Sequence, residues 1–143
     1  MEETKKWLNR AYAIDEEIKV LNLELKKANL EATSLASQKN GEKVQTSKMN
    51  NADYAILKCI EYSEQITEKL GELYATKIEI SETISNVDNG KLRTILRMRY
   101  LSFMSWDEIA KKIGYTERNV HYLHEKALIE VKDFIEFHLT SVI

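Results

Sequence analysis

Apolar residues near the N-terminus recur in two rows, each with a spacing of seven residues, between about residues 3 and 38. Such a heptad repeat is typical of a helix that packs lengthwise against another helix. At about 1.5 Å per residue the predicted helix is roughly 54 Å long, so it needs a second long helix beside it. The two rows are Thr4, Ala11, Ile18, Leu25 and Ala32, and Trp7, Ile14, Leu21, Ala28 and Leu35.

A second long helix is predicted from about Asn51 to Val87. Residues 39–50 between the two helices have no apolar period and contain Gly41, which is typical of a loop. The rows of the second helix are Ile56, Ser63, Leu70, Lys77 and Ile84, and Cys59, Ile66, Leu73, Ile80 and Val87, with Leu57, Ile60, Tyr74 and Ile78 widening the face. The two long helices are therefore natural partners, either as an antiparallel hairpin or across a dimer.

The long helix is predicted to end near Gly90, where Asp88 or Asn89 caps a new helix. This third helix covers residues 91–101. Its apolar positions alternate with three arginines, so it has a core face and a basic edge. Arginines on a helix edge are suited to clamping phosphate oxygens, and the basic positions are Arg93, Arg97 and Arg99.

Two further helices are predicted around a short turn. Ser105 and Glu108 match a capping box, so a helix begins at Trp106, and Gly114 ends it in the left-handed conformation. Thr116 then caps the last helix. Helix, short turn and helix together are the plan of a helix-turn-helix. The inward stripe of the last helix is Val120, Leu123, Ala127, Leu128 and Val131.

The outer face at the front of the last helix carries the side chains that a DNA major groove would meet. Base edges are expected to contact Glu117, Arg118, His121 and Tyr122, with Glu125 and Lys126 one turn further on. An arginine at this place is suited to a bidentate contact with guanine. His121 and His124 are three residues apart, but no further Cys or His has a matching spacing, so no metal site is expected.

Composition supports an all-α fold, because the 143 residues include no proline and only four glycines. We expect a long helical hairpin or coiled coil over residues 1–88, with a loop at about 39–50, that serves self-association. A helix-turn-helix domain is expected over residues 89–143. No run of residues is apolar enough for a membrane span and no signal peptide is evident, so we expect a cytoplasmic protein with no membrane partner. The single Cys59 fits a reducing compartment.

Charge is distributed unevenly along the chain, although the formal net charge is only −2. Residues 1–90 carry 12 Lys and Arg against 16 Asp and Glu, whereas residues 91–132 carry nine against five. The basic C-terminal part favours a polyanion as its partner. Motifs for nucleophiles, phosphate loops and zinc proteases are missing, so neither an enzyme nor a cofactor is expected.

Four strings after residue 90 resemble region 4 of bacterial sigma-70-type factors, the part that reads the −35 promoter element. They are LRMRY at 96–100, WDEIA at 106–110, GYTERNV at 114–120 and EKAL at 125–128, and the resemblance covers about residues 91–132. It implies that Arg97, Arg99 and the Thr116 end of the last helix lie near phosphates. Lys126 is also expected to face phosphates. By the same resemblance it occupies a position at which sigma factors can meet an activator.

The whole chain, including VQTS at 44–47, also resembles a phage-associated family with a sigma-like C-terminus, near late-gene regulators of the RinA and ArpU type. This implies a sequence-specific transcription regulator of phage or prophage genes in a bacterial host cell. Its expected partners are double-stranded DNA and further copies of itself, as a homodimer or higher oligomer, with RNA polymerase as another candidate. The alternatives are a DNA-packaging factor like a small terminase subunit, and an adaptor that binds RNA polymerase without reading bases.

Overall fold

A computed structural model describes residues 2–38 and 50–141 and, within them, the side chains of residues 2–37 and 50–135. This part of the chain forms helices without any strand, which confirms the predicted all-α fold. None of the described helices combines the length and apolar character needed to cross a bilayer. Apart from Asn50, the predicted loop with VQTS at 44–47 lies outside the described residues. The helices are α1 (Glu2–Leu8), α2 (Arg10–Gln38), α3 (Asn51–Ile84), α4 (Gly90–Tyr100), α5 (Trp106–Ile113) and α6 (Glu117–Ser141).

The first predicted helix is recovered as α1 and α2, which are separated only at Asn9. Helical hydrogen bonds continue through this position. The Asn9 N–H donates to the Lys5 carbonyl at 2.8 Å, and the Ala13 N–H donates to the Asn9 carbonyl at 3.1 Å. The predicted heptad positions of both helices are buried or half-buried, as the pattern requires.

Residues 15–72, from α2 and α3, form one of the two compact units of the chain. Within it Lys69 and Glu17 form an ion pair at 2.9 Å, and the Cys59 thiol donates to Asn29 Oδ1 at 3.1 Å. The earlier residue of α2 thus faces the later residue of α3, so the two helices run antiparallel. Of the two arrangements that the heptad pattern allows, the chain adopts the hairpin.

Only one of the two apolar rows predicted for α3 lies largely inside. Leu73 and Ile80 of that row are buried, whereas Ile56 and Leu70 of the other row are 49% and 36% exposed. One neighbouring helix covers a limited arc of α3, and the apolar face of α3 is wider than this arc. The remaining apolar side chains are therefore left at the surface.

The other compact unit joins residues 1–14 to residues 73–143. In it α1 packs against α6, with Lys5 Nζ 3.9 Å from the Glu125 carboxylate. The predicted division of the chain at residue 88 did not anticipate this, because a heptad face looks the same whether it packs against a long helix or against α6. The largest fully buried side chains of this unit are Leu8, Ile80, Ile84, Val87, Ile95, Leu96, Ile109, Val120, Leu128 and Val131.

Candidate nucleic-acid interface

Helices α4, α5 and α6 pack around a small apolar cluster made by Ile95, Ile109, Ala110 and Val120. Ile95, Ile109 and Val120 are fully buried. Six partly buried side chains close the cluster: Met98, Met104, Trp106, Ile113, Tyr115 and Leu123. Because Val120 belongs to the first turns of α6, this packing holds the front of α6 from behind.

Side-chain caps start α4 and α5 at the predicted places. Asn89 Oδ1 accepts the N–H groups of Lys91 and Leu92, at 2.9 and 3.3 Å. Ser105 Oγ accepts the N–H of Glu108 at 3.2 Å. The reciprocal bond differs from that of a standard capping box, because the Glu108 carboxylate accepts the Ser105 hydroxyl at 3.0 Å rather than a backbone N–H.

The turn between α5 and α6 has the conformation that its sequence predicts. Gly114 adopts φ 74° and ψ 32°, the left-handed region, and its N–H donates to the Ala110 carbonyl. Thr116 Oγ1 accepts the Asn119 N–H at 3.1 Å and so caps α6. Helix, short turn and helix thus follow one another in the order of a helix-turn-helix.

The four side chains predicted to meet base edges all lie at the surface in the first two turns of α6. Glu117, Arg118, His121 and Tyr122 are exposed, while Val120 between them is fully buried. At 3.6 residues per turn, this alternation leaves one side of the helix front open to solvent. The structure therefore brings the predicted residues together on one accessible surface.

Arg118 stands apart from the other arginines of the C-terminal part. Its side chain is exposed and has no hydrogen bond or ion pair with the residues that the structure describes. A guanidinium carries five N–H donors in a planar fork, and those of Arg118 point into solvent. This group is therefore available for a bidentate contact with a partner.

His121 is more constrained than Arg118. Its ring centroid lies 4.7 Å from that of Trp106, and its Nε2 lies 3.7 Å from the Glu117 carboxylate. About half of the His121 side chain remains exposed. The imidazole thus presents an edge to solvent while Trp106 fixes its orientation.

The four residues predicted to meet phosphates fall into two groups. Thr116 and Lys126 are exposed, and the Lys126 ammonium lies 4.9 Å from the centre of the Tyr122 ring. Arg97 and Arg99 are half-buried. Only the first group is freely accessible.

The two half-buried arginines make bonds within the chain. Arg97 donates to the hydroxyls of Ser81 and Ser85 at 2.7 and 2.9 Å, which ties α4 to the end of α3. Arg99 donates to the Met104 carbonyl at 3.0 Å, and its guanidinium lies 4.3 Å from the centre of the Trp106 ring. Both side chains therefore have structural work in the unbound protein.

Arg93 is used in the same way. Its Nη1 donates to the carbonyls of Val87 and Asp88 at 2.5 and 2.7 Å, at the connection between α3 and α4. The arginine row on α4 was one of the sequence signals for phosphate contact. In the unbound chain all three of its members hold the α3–α4 connection or the start of α5 in place, and their contact with phosphate stays a prediction.

His124, which the sequence analysis considered only as a metal ligand, is a buried group. It is 3% exposed, and its Nε2 is 2.7 Å from the Tyr100 hydroxyl. The pKa of His124 is lowered to about 4, mainly by burial and to a smaller extent by the charges of Lys5, Arg99 and His121. Burial raises the pKa of Tyr100 to about 12. Both groups are therefore neutral at pH 7.

Two lysines beside the turn were missed in the sequence reasoning. Lys91 lies over the Tyr115 ring, 4.5 Å from its centre, and its ammonium donates to the Tyr115 hydroxyl. Lys112, in the last turn of α5, is exposed. For Lys112 the available signal was its position two residues before Gly114, since a cation next to such a turn is close to the front of the following helix. No sequence signal placed Lys91 beside Tyr115.

By its fold the chain is an all-α protein whose last two helices follow a helix-turn-helix order. A family model described as "Protein of unknown function (DUF1492)" matches residues 33–132, and the chain belongs to this family. The matched range contains α3, α4, α5 and the front of α6, and so the whole candidate interface. No curated protein and no solved structure matches the chain significantly.

Proposed function

We propose that the chain is a sequence-specific DNA-binding transcription regulator of phage or prophage genes. It reads DNA with the front of α6 and dimerises through its long helices. The observation that carries the proposal is the guanidinium of Arg118, which is exposed and has no partner among the described residues. It projects from a helix whose opposite side is fixed by the buried Val120.

Base reading is assigned to the exposed front of α6. Arginine forms two parallel hydrogen bonds with O6 and N7 of guanine in the major groove, which is worth about 1–3 kcal/mol of discrimination. His121 and Tyr122 lie next to Arg118 on this surface and are exposed. Because Trp106 orients the His121 ring, His121 meets the groove with less loss of side-chain entropy than a free side chain would.

Phosphate contacts are assigned to the N-terminus of α6 and to cations around it. The first N–H groups of a helix and its dipole favour an anion, and Thr116 caps this end. Lys126 and Lys112 are exposed on α6 and α5 and supply further charge. Arg97 and Arg99 take the role of positioning residues, because their guanidinium groups already hold α4 and α5.

Two copies of the reader are required. Residues 91–132 carry nine basic and five acidic residues, so one copy contacts few phosphates and binds weakly at physiological salt. Joining two readers makes the second contact intramolecular and raises its effective concentration.

The first experiment is genome-wide binding in a phage-carrying host that expresses the tagged full chain. A regulator gives discrete sites upstream of phage promoters that share a sequence motif. Enrichment at a packaging site alone indicates a packaging factor. Enrichment at every active promoter without a shared motif indicates a polymerase adaptor, and either of these results overturns the proposal.

The second experiment compares the Arg118→Ala/His121→Ala double variant with Lys6→Ala on a bound site and on a scrambled duplex. Lys6 is an exposed basic residue on α1 and serves as the control for loss of one charge. We expect the double variant to lose about tenfold or more of the preference for the site, and Lys6→Ala to keep it. An unchanged preference in a folded double variant contradicts the assignment of α6.

A further inference from the structure

Helix α3 carries a second apolar row on the side that α2 does not cover. We call it the outer row. Its side chains are between 36% and 62% exposed, with Leu70 the least and Tyr74 the most exposed. At 100° per residue they fall on one side of the helix. The members of the outer row are Ile56, Ile60, Leu70, Tyr74 and Ile78.

The middle of the outer row consists of small residues. Ser63, Thr67 and Gly71 follow one another at intervals of four on the same side, and all three are exposed. A side chain at Gly71 would meet nothing within 4 Å. Ser63 and Thr67 also line a groove of about 620 Å³ between α2 and α3. A second helix can therefore approach α3 closely at its middle.

Four members of the outer row and two of its small residues are arranged symmetrically about Thr67. Ile56 and Ile78 each lie eleven residues from Thr67, Ile60 and Tyr74 each lie seven, and Ser63 and Gly71 each lie four. When two identical helices pair antiparallel about a two-fold axis at Thr67, residues at equal distances on either side of it face each other. Ile56 then meets Ile78, Ile60 meets Tyr74 and Ser63 meets Gly71. Leu70, the fifth member of the outer row, meets Glu64.

Charges agree with the same register. Between residues 56 and 78 every Lys or Glu falls opposite an uncharged residue; for example, Lys58 faces Thr76, Glu64 faces Leu70 and Lys77 faces Leu57. No pair of like charges is brought face to face, although the segment contains seven charged residues. Like charges placed opposite each other disfavour a register, and the register centred on Thr67 contains no such pair.

We propose that α3 is a self-association surface on which α3 of a second copy lies antiparallel, with the two-fold axis at Thr67. Complete burial of the five half-exposed apolar side chains removes at most roughly 500 Å² per copy from solvent, so two copies bury up to about 1,000 Å², the size at which specific interfaces begin. This inference deepens the dimerisation part of the proposed function and does not depend on DNA reading.

The test is disulfide crosslinking of single-cysteine variants of the full chain. The native thiol is first removed by Cys59→Ser. In the proposed register Thr67→Cys faces its own copy, so mild oxidation gives a covalent dimer. In the Ser63→Cys variant the cysteines of the two copies lie about 12 Å apart along the helix axis, beyond the reach of a disulfide. This variant therefore stays monomeric on a denaturing gel.

A mixture of Ser63→Cys and Gly71→Cys chains gives a covalent heterodimer, whereas neither variant alone does. Circular dichroism shows that each variant keeps its helices, and sedimentation before oxidation gives a dimer. If Ser63→Cys crosslinks as fast as Thr67→Cys, the helices are parallel and the proposal is wrong. If Thr67→Cys stays reduced, whether the chain is monomeric or associated, the proposal is also wrong.

Because no DNA is present, the result separates the two proposals. If Thr67→Cys crosslinks but the chain shows no sequence preference on DNA, the α3 interface is supported and the proposed regulator function is wrong. If Thr67→Cys does not crosslink but the chain still selects a DNA site, only the proposed α3 interface is wrong.

Discussion

Acidification is expected to destabilise the unit that holds α6, and one buried imidazole accounts for a defined part of the loss. His124 is 3% exposed and its pKa in the folded protein is about 4, against 6.5 in the unfolded chain. Above pH 6.5 the ring is neutral in both states and costs nothing. As pH falls from 6.5 towards 4, His124 binds a proton in the unfolded chain but not in the folded protein, so the free energy of unfolding falls with pH.

The size of this effect follows from the two pKa values. The difference corresponds to roughly 3 kcal/mol in full, of which about 2.5 kcal/mol is reached at pH 4.5. The perturbation is His124→Gln, which does not titrate and whose amide oxygen can still accept the Tyr100 hydroxyl. Carboxylates titrate equally in both proteins, so they cancel when the variant is compared with wild type.

The assay is urea unfolding, followed by tryptophan fluorescence and circular dichroism, between pH 7.5 and 4.5. We expect the free energy of unfolding of wild type to fall relative to His124→Gln by about 2.5 kcal/mol across this range. The charge of His121 is only the smallest cause of the lowered pKa of His124, so His121→Gln should keep most of the wild-type dependence. A constant difference between wild type and His124→Gln would refute the account of a buried neutral ring.

Three further predictions concern the architecture around α6. Gly114→Ala should cost about 1–2 kcal/mol in urea unfolding from its positive φ alone, since the added Cβ meets nothing within 4 Å; no loss would show that the turn relaxes. Ser105→Ala should cost about 1 kcal/mol through loss of the α5 cap, and Ser102→Ala, its exposed neighbour, close to nothing; equal effects would contradict the cap. Arg97→Gln should cost about 1 kcal/mol through its bonds to α3, and this coupling should vanish when Ser81 and Ser85 are both alanine; an undiminished cost in that background would contradict it.

The helix boundaries were predictable because the residues that determine them act locally. Asn89, Ser105 and Thr116 cap the helix that follows each of them through an oxygen that accepts an N–H two or three residues later, which involves no distant contact. Gly114 ends α5 for an equally local reason, its tolerance of positive φ. These features could be deduced without knowing how the helices pack.

The packing partners were less predictable, because one pattern serves several contacts. The heptad residues Thr4 and Trp7 are buried in the unit of α1 and α6, although their spacing indicated a long helix as the partner. The first apolar row of α3 likewise gave no sign that Ile56 and Leu70 would be exposed. A sequence period reports which side of a helix is apolar and leaves open what covers that side.

The exposed residues of the candidate site were predictable from the sequence, whereas the hydrogen bonds that other site residues form within the chain were not. Arg118 is exposed because it alternates with the buried Val120, which the helical period predicts. The hydrogen bonds of Arg97 and Arg99 within the chain could not be predicted, because arginine donates to serine hydroxyls and carbonyls as readily as to phosphate. His124 was missed because a ring next to an exposed one on the same helix can lie in the core.

Selection from a random duplex library by the purified full chain shows whether the front of α6 reads a DNA sequence. We expect repeated rounds of selection to enrich a motif containing guanine at a fixed position, and Arg118→Ala to weaken the preference for that guanine. A library that stays random through selection, while the protein remains folded and binds duplex DNA only in proportion to its concentration, would contradict it.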